Sequence, residues 1–576
     1  QAALANTVLL SMKKKRTSRA SYHATEKEEG SKRAQQPRDK AMEISKRAQL
    51  CDKAVEIESS AKKCAKAMGA SSEEDRLSGL PDDVLHSILA RLSLKRAVCT
   101  SALSTRWARL WIHAVAASAV LDFTDRDFGR GQSPAQIAAT VARCIGIHGA
   151  ARIDVLRVAL SPVDALGQDV LSWVAAALRR GAREVGVDLA RRGVLDNDDG
   201  RAFLLQFPGD LFQVENSLAV LSLGRCSLRD VPPGAAGLAG LTSLSLHRVD
   251  VTDDALRDVV SECRLLKFLS LRSCHLLESV RVTGKRLRGL EIVSCLAMRD
   301  LQVAAPAIES FAFHGDILYS RDGYETEPVV FIGNGNSRTT WDADTPELRD
   351  AYLSHLGFGG YDNQIHDFAY SCALLKVSHA RILTLCSKGL LHIDVERNCL
   401  ELDVDTQNLE ELQLLMDSMG DDDVTNFSGF FELTGPTTLL ERLFVRLPAA
   451  CQDTAEDARS GAATGEDEDI VLDEEISLDR LTFIKMVNFR GATRELRLLR
   501  FVLRRSPVLE ELVLVTPEEE GTPGNHDQLV KVVQEHVSEA RKAWKDAHVT
   551  VCRPREDDSR SPAHTKYYHD DQAHSS

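Results

Sequence analysis

The sequence predicts an α/β protein: a short three-helix module, then an irregular solenoid with short parallel strands inside and helices outside, and disordered termini. Three observations predict it. A short apolar pattern, L-x-x-L-x-L, recurs between Leu218 and Phe313 at intervals of 23, 25, 21 and 21 residues. A run with helical spacing of apolar residues precedes it, from Asp75 to Trp111. The composition is aliphatic, 43% apolar but only 5% aromatic over 576 residues. Such a chain is long enough for more than one core and suits repetitive Leu, Val and Ala packing better than a β-sandwich.

Residues 1–72 read as a basic, disordered extension, too polar to bury a core. They hold an imperfect duplication, SKRAQQPRDKAMEI from Ser31 and SKRAQLCDKAVEI from Ser45. Lys13–Arg16 could act as a nuclear-import patch, although such clusters are usually solvated charge.

In the first module, Pro81 suits a first helical turn, and Asp82 and Asp83 favour its positive end. Val84, Leu85, Ile88, Leu89 and Leu92 then form a broad apolar stripe. Lys95 and Arg96 separate this helix from Ala97–Leu103, and Trp107, Leu110 and Trp111 define a third helix. About 40 residues lack the core volume to cover all that surface, so part of the stripe must meet another chain or the following domain.

In the repeats, alternation puts the leucines of each copy on one side of a short strand. The copies are Leu218, Leu221, Leu223; Leu241, Leu244, Leu246; Leu266, Leu269, Leu271; Leu287, Leu290, Ile292; and Ile308, Phe311, Phe313. Cys226, Cys274 and Cys295 each follow the last apolar position by three residues. Asp253–Cys263 has the caps and spacing of an outer helix. After a polar loop from Gly315 to Thr345, further strands are expected at Leu383–Leu385, Leu390–Val395, Leu400–Val404, Leu409–Leu414, Leu440–Val445 and Leu481–Val487. A helix is expected at Thr493–Arg505 and a closing strand at Leu512–Val515. Gln452–Ser477 reads as a mobile acidic insert. Gln528–Trp544 has the spacing of an amphipathic helix, and 550–576 is expected to be flexible.

Catalytic motifs are missing from the sequence: it has no GxSxG, GxxxxGK[ST] or HExxH. Gly333-Asn334-Gly335 lacks the third glycine of a dinucleotide loop. Asp421–Asp423 reads as a loop of solvated acids, and His564, His569 and His574 as too sparse and flexible for a site. The thirteen cysteines form no CxxC pair and no metal spacing, which implies reduced thiols. No apolar run reaches the roughly 18–20 residues of a membrane span. Cofactors and catalysis are therefore not expected, nor are nucleic acid, membrane or a homo-oligomer as partners.

The segment from Asp75 to Trp111 resembles a plant F-box. The resemblance rests on Leu80, Pro81, Asp82, Asp83, Val84 and Leu85; Ile88 and Leu89; Lys95; and Ser101, Leu103, Ser104, Arg106, Trp107, Leu110 and Trp111. Ser93 and Ala108 depart from the family pattern. The strand repeats, with cysteine at the turning position, resemble leucine-rich repeats. Leu481–Val515 resembles the FBD region of plant F-box/leucine-rich-repeat proteins, with Phe489, Gly491, Glu495, Leu496, Phe501, Leu503, Pro507, Leu509 and Glu510 as landmarks.

This resemblance implies an F-box domain at 73–115, a linker helix region at 116–150 and leucine-rich repeats at 151–450. The acidic insert at 451–478 precedes an FBD-like end at 479–516 and a tail at 517–576. It also implies a function: a substrate-recognition subunit of an SCF-type ubiquitin ligase, in the nucleus and/or cytoplasm. A Skp-type adaptor, and through it cullin and a RING protein, would bind Leu80, Pro81, Leu85, Ile88, Leu89, Leu92, Trp107 and Leu110. The inner strand face would hold a substrate protein through residues the sequence does not identify. The alternative is a leucine-rich scaffold or sensor that pairs with the adaptor without ubiquitination.

Overall fold

The computed structural model describes residues 79–568, apart from scattered positions and the segments 190–203, 316–329, 334–344, 357–369, 392–405, 449–476, 519–529 and 532–546. The basic extension, nearly all of the acidic insert and almost all of the amphipathic stretch at 528–544 lie outside the described residues. Two compact units result, one running to Leu160 and including Gln168–Arg180, the other comprising Ser161–Gly167 and the chain from Gly181.

The first unit opens with helices α1 (Asp82–Leu89) and α2 (Leu94–Cys99). Strand β1 (Val120–Phe123), helix α3 (Pro134–Ile147), strand β2 (Val155–Ala159) and helix α4 (Gly167–Arg179) follow. The region expected to be a linker helix region thus holds a strand, β1, beside its helix. Val120–Phe123 pairs in parallel with Val155–Val158, and α3 makes the crossover that a parallel pair requires. A capping box starts α3. Ser133 accepts from the Gln136 amide, and Gln136 Oε1 accepts from the Ser133 amide at 2.9 Å.

The second unit contains β3 (Glu184–Asp188), β4 (Leu205–Gln206), β5 (Val220–Gly224), β6 (Cys226–Ser227), β7 (Ser243–His247), α5 (Asp253–Glu262) and β8 (Phe268–Arg272). Next come β9 (Ser279–Thr283), β10 (Gly289–Val293), β11 (Asp300–Ala304), β12 (Ser310–Gly315), β13 (Val330–Gly333) and β14 (Asp350–His355). The remainder are β15 (Ile382–Cys386), α6 (Ser387–Leu390), β16 (Glu411–Leu415), α7 (Asp421–Thr434), β17 (Arg442–Arg446), β18 (Phe483–Val487), α8 (Thr493–Arg504), β19 (Glu511–Val515) and β20 (His548–Cys552).

The long parallel sheet runs β3-β5-β7-β8-β10-β12-β14-β15-β16-β17-β18-β19-β20 in this unit. Its register stacks the repeat leucines. Leu244, Leu269, Leu290 and Phe311 align, as do Leu246, Leu271, Ile292 and Phe313, and all are buried. Each such side chain contributes about 1.5–3 kcal/mol on burial.

One device ends strands repeatedly. Arg225, Arg248, Ser273, Ser294 and Asn488, each one residue past a strand, have φ between 52° and 66°. This left-handed step costs a non-glycine residue about 1–2 kcal/mol. It turns the next side chain into the core, and Cys226, Val249, Cys274, Cys295 and Phe489 are all buried there. Cys274 and Cys295 direct Sγ to the Leu246 and Leu271 carbonyls of the preceding repeat, at 3.6 and 3.7 Å. The three repeat cysteines thus all face inward.

Several expectations need correction. The outer layer is not helical throughout, because β9, β11 and β13 form a second parallel sheet. The two 21-residue repeats return through SVRVT and DLQVA, which alternate like strands and leave little length for a helix. Leu390 ends helix α6 instead of starting a strand. Asp421–Asp423 opens helix α7, and Asp423 is buried and accepts from the Gly420 amide. The sheet does not close at Val515, because β20 pairs with β19 in parallel. Finally, 553–568 is not a flexible end: it lies against the strand face and buries Tyr568.

Candidate functional site

Two surfaces come from the sequence-derived candidates. In the helical module, Leu85, Leu89, Trp107 and Leu110 are at most 5% exposed. They hold the module together. Leu80, Ile88 and Leu92 are half-buried and Pro81 is exposed. Beside them Val84 and Leu103 stand 42% and 63% exposed. The eight candidate adaptor residues therefore divide into a buried set of four and an accessible set of four. Arg106 ties the two ends of the module together: it donates from Nη2 to the Leu80 carbonyl at 2.7 Å and pairs with Asp82. This pair is solvent-exposed and contributes little by itself.

The second surface is the strand face turned away from the leucine core. The first, third and fifth residues of each five-residue core segment point to it. Register aligns Gly289, Ser310, Asp350, Ile382, Glu411, Arg442 and Phe483 in one row. The next row is Glu291, Ala312, Tyr352, Thr384, Gln413, Phe444 and Lys485. The sequence pointed to this face without naming a residue on it. The signal was present in the non-leucine positions, which include Ser222, Gly224, Ser243 and Ser245 in β5 and β7 and Asp350, Tyr352, Glu411, Arg442, Phe444, Phe483 and Lys485 from β14 onward.

The chain from Arg553 to Tyr568 crosses these rows. Lys485 pairs with Asp557 at 2.7 Å and donates to Ser559 Oγ and the Arg560 carbonyl. Glu411 accepts from the Ala563 amide at 2.7 Å, while Arg442 and Gln413 also donate to it. The His564 ring reaches Thr384 Oγ1 at 2.7 Å and Asp350 Oδ1 at 3.1 Å. Lys566 pairs with Glu291 at 3.0 Å. Tyr568 packs edge-on to Tyr352 and joins Val293, Cys386 and Leu415, and Arg446 lies over Tyr567.

The electrostatics follow this packing. Burial pushes the Glu291 carboxyl up, but the charge and hydrogen bond of Lys566, with Arg272 and Tyr568, outweigh it and hold the pKa below its usual value. Burial likewise opposes ionisation of Asp557, and bonds from Lys485 and Ser559 outweigh it. Between tail and sheet lies a cavity of about 340 Å³, lined in part by Ser245, Phe268, Glu291, Tyr352, His564 and Lys566. Among the described residues, no group of three or more His, Cys, Asp or Glu side chains could hold a metal ion, and no helix is long and apolar enough to cross a membrane.

A family model for the F-box domain matches residues 77–113, and the At1g61320/AtMIF1 LRR domain model matches residues 148–328. F-box protein At5g03100 of Arabidopsis thaliana is 27% identical over 229 residues, which is 40% of this chain and 63% of that protein. FBD-associated F-box protein At4g10400 of the same plant is 28% identical over 283 residues, 49% of this chain and 61% of its own length. F-box/LRR-repeat protein At3g03360, also from Arabidopsis thaliana, is 27% identical over 244 residues, 41% and 46% of the two chains. The chain thus spans about three-fifths or less of the length of these relatives. Fold and matched domains agree on an α/β repeat architecture that follows a short helical F-box. The chain carries an F-box and a leucine-rich-repeat domain and is similar to plant F-box proteins that include FBD-associated ones.

Proposed function

We propose that the chain is the substrate-recognition subunit of an SCF-type ubiquitin ligase. The F-box binds a Skp-type adaptor, and cullin and RING protein follow through it. The strand face of the repeats holds a protein substrate near the ubiquitin-charged conjugating enzyme. The contribution is positional: holding a substrate beside a reactive thioester raises its effective concentration for lysine attack. The observation that carries this reading is apolar side chains left open on a matched F-box: Val84 and Leu103 are exposed, as is Pro81, and Leu80, Ile88 and Leu92 are only half-buried. Buried Leu85, Leu89, Trp107 and Leu110 support that surface from beneath.

Accessibility dictates the test. Leu85→Ala would damage the module's own core, so the informative variant is Val84→Asp with Leu103→Asp, which alters exposed side chains. A charge set into an apolar anchor costs 2 kcal/mol or more, roughly a thirtyfold loss of adaptor affinity or greater. Wild-type recovery of adaptor and cullin by this folded variant would overturn the proposal. If the wild type binds adaptor but no bound protein accumulates on cullin inhibition, the scaffold reading takes its place.

A further inference from the structure

The segment that crosses the strand face binds as a ligand does. Residues 553–567 are turns and extended chain outside the sheet ladder, and side chains carry most of their contacts. Apart from Arg555, which meets Glu518, their partners on the strand face lie 72 to 275 residues earlier in the sequence, on β10, β14, β15, β16, β17 and β18. All of these are face positions, not core positions. The acids Glu291, Asp350 and Glu411 meet Lys566, the His564 ring and the Ala563 amide in turn. At the end Tyr568 fills an apolar recess between Tyr352, Cys386 and Leu415.

We infer that this face is a peptide-binding surface whose resident occupant is 553–568, and that a partner engages it by displacing that segment with an extended basic-aromatic stretch. The inference rests on the reading of this face as the substrate surface and adds the partner's chemistry. A competitor must satisfy the same carboxylates with cations or N–H donors, since an unpaired, partly buried carboxylate is costly. It must also supply an aromatic ring for the recess, with a cation close before it, as Lys566 precedes Tyr568. An acidic or purely aliphatic segment meets neither demand.

Displacement has a definite energetic form. A tethered segment acts at an effective concentration on the order of millimolar. A free peptide with an intrinsic Kd of about 10–100 μM would therefore bind the intact chain roughly ten- to a hundredfold more weakly than an opened one.

The test uses the full chain and a fluorescent peptide with the sequence of residues 553–568. Lys566→Glu removes the Glu291 pair at a half-exposed side chain and leaves the sheet untouched. A second variant adds Tyr568→Ala to empty the recess. Both should bind the peptide at least tenfold more tightly than wild type. Adding Lys485→Glu, which repels the peptide's own Asp557, should abolish that gain. A control peptide with Glu for Lys566 and Ala for Tyr568 should not bind. Equal affinity for wild type and variants, failure of all to bind, or binding that survives Lys485→Glu would each overturn the inference. Adaptor pull-down from the same preparations separates the two readings, because adaptor binding without peptide binding removes only this one.

Discussion

Strands β7 and β18 occupy equivalent places in two distant repeats, yet their side chains are buried differently. In β7, SLSLH, buried leucines alternate with half-buried residues. In β18, FIKMV, the first four residues are all buried. The same contrast separates β5 to β10 from β14 to β19. Parallel sheets usually need cover on both faces, and their strands then read as nearly continuous apolar runs. The early repeats have cover on one face and keep small polar residues such as Ser222 and Ser245 on the other. The later ones carry Tyr352, Phe444 and Phe483 there and are covered by residues 553–568. A shared leucine core thus supports two kinds of surface, and the difference lies in what the non-leucine positions meet.

Phenylalanine at one repeat position breaks or sharpens this contrast most directly. Phe268 and Phe483 each begin a strand and point to the same face, but Phe268 is 52% exposed and Phe483 is 2% exposed. Phe483→Ala should destabilise the protein by about 3–5 kcal/mol. Phe268→Ala should stay within about 0.5 kcal/mol of wild type. Urea denaturation of the two variants measures both. Similar losses would mean that the two halves of the face are covered alike.

Next in size is the Lys485 cluster. Its side chain is 5% exposed, and its ammonium serves Asp557, Ser559 and the Arg560 carbonyl. Lys485→Met keeps the stem and removes the donor these acceptors share, leaving Asp557 only the amide and hydroxyl of Ser559, at about 1–3 kcal/mol. The cost should fall on the tail alone. Hydrogen exchange should quicken over 553–568 and stay unchanged in β5 to β8, because solenoid contacts are local. Faster exchange throughout the sheet would deny the tail its separate role.

These regions also differ in how far the sequence could be read. The leucine repeats were legible because each strand declares its buried side within five residues, and the spacing of Leu218 to Phe313 carried the register. The F-box stripe was legible for the same reason, although spacing alone did not distinguish buried Leu85 from exposed Val84. The tail was not legible. Lys566 and Glu291 lie 275 residues apart, so no local period links them. His564 looked isolated in sequence because its partners, Thr384 and Asp350, arrive only through the stacking of successive strands. The outer strands β9 and β11 were not legible because five alternating residues are a short signal and each lies between two stronger leucine strands.

The smallest expected effect is read from thiols, and it separates core from covered face within single molecules. Cys226 and Cys274 lie in the leucine core, whereas Cys386 lies on the face in the cluster that Tyr568 completes. Burial pushes the Cys226 thiol up to about 12, with the nearby Asp188 and Asp250 adding to it. At pH 8 only about one such thiol in ten thousand is ionised, and the thiolate is the reactive form. Its alkylation should therefore keep rising tenfold per pH unit well past pH 9, where an ordinary exposed thiol has levelled off. Burial raises the Cys386 thiol too, and the His355 and Gly389 amides donate to its sulfur. Lifting the tail with Lys566→Glu and Tyr568→Ala opens the Cys386 cluster to reagent and solvent. Cys386 labelling should then quicken by about tenfold or more as burial is relieved. Labelling of Cys226 and Cys274 should not change. If all three accelerate together, the tail supports the core itself; if none does, Tyr568 is not what seals the face.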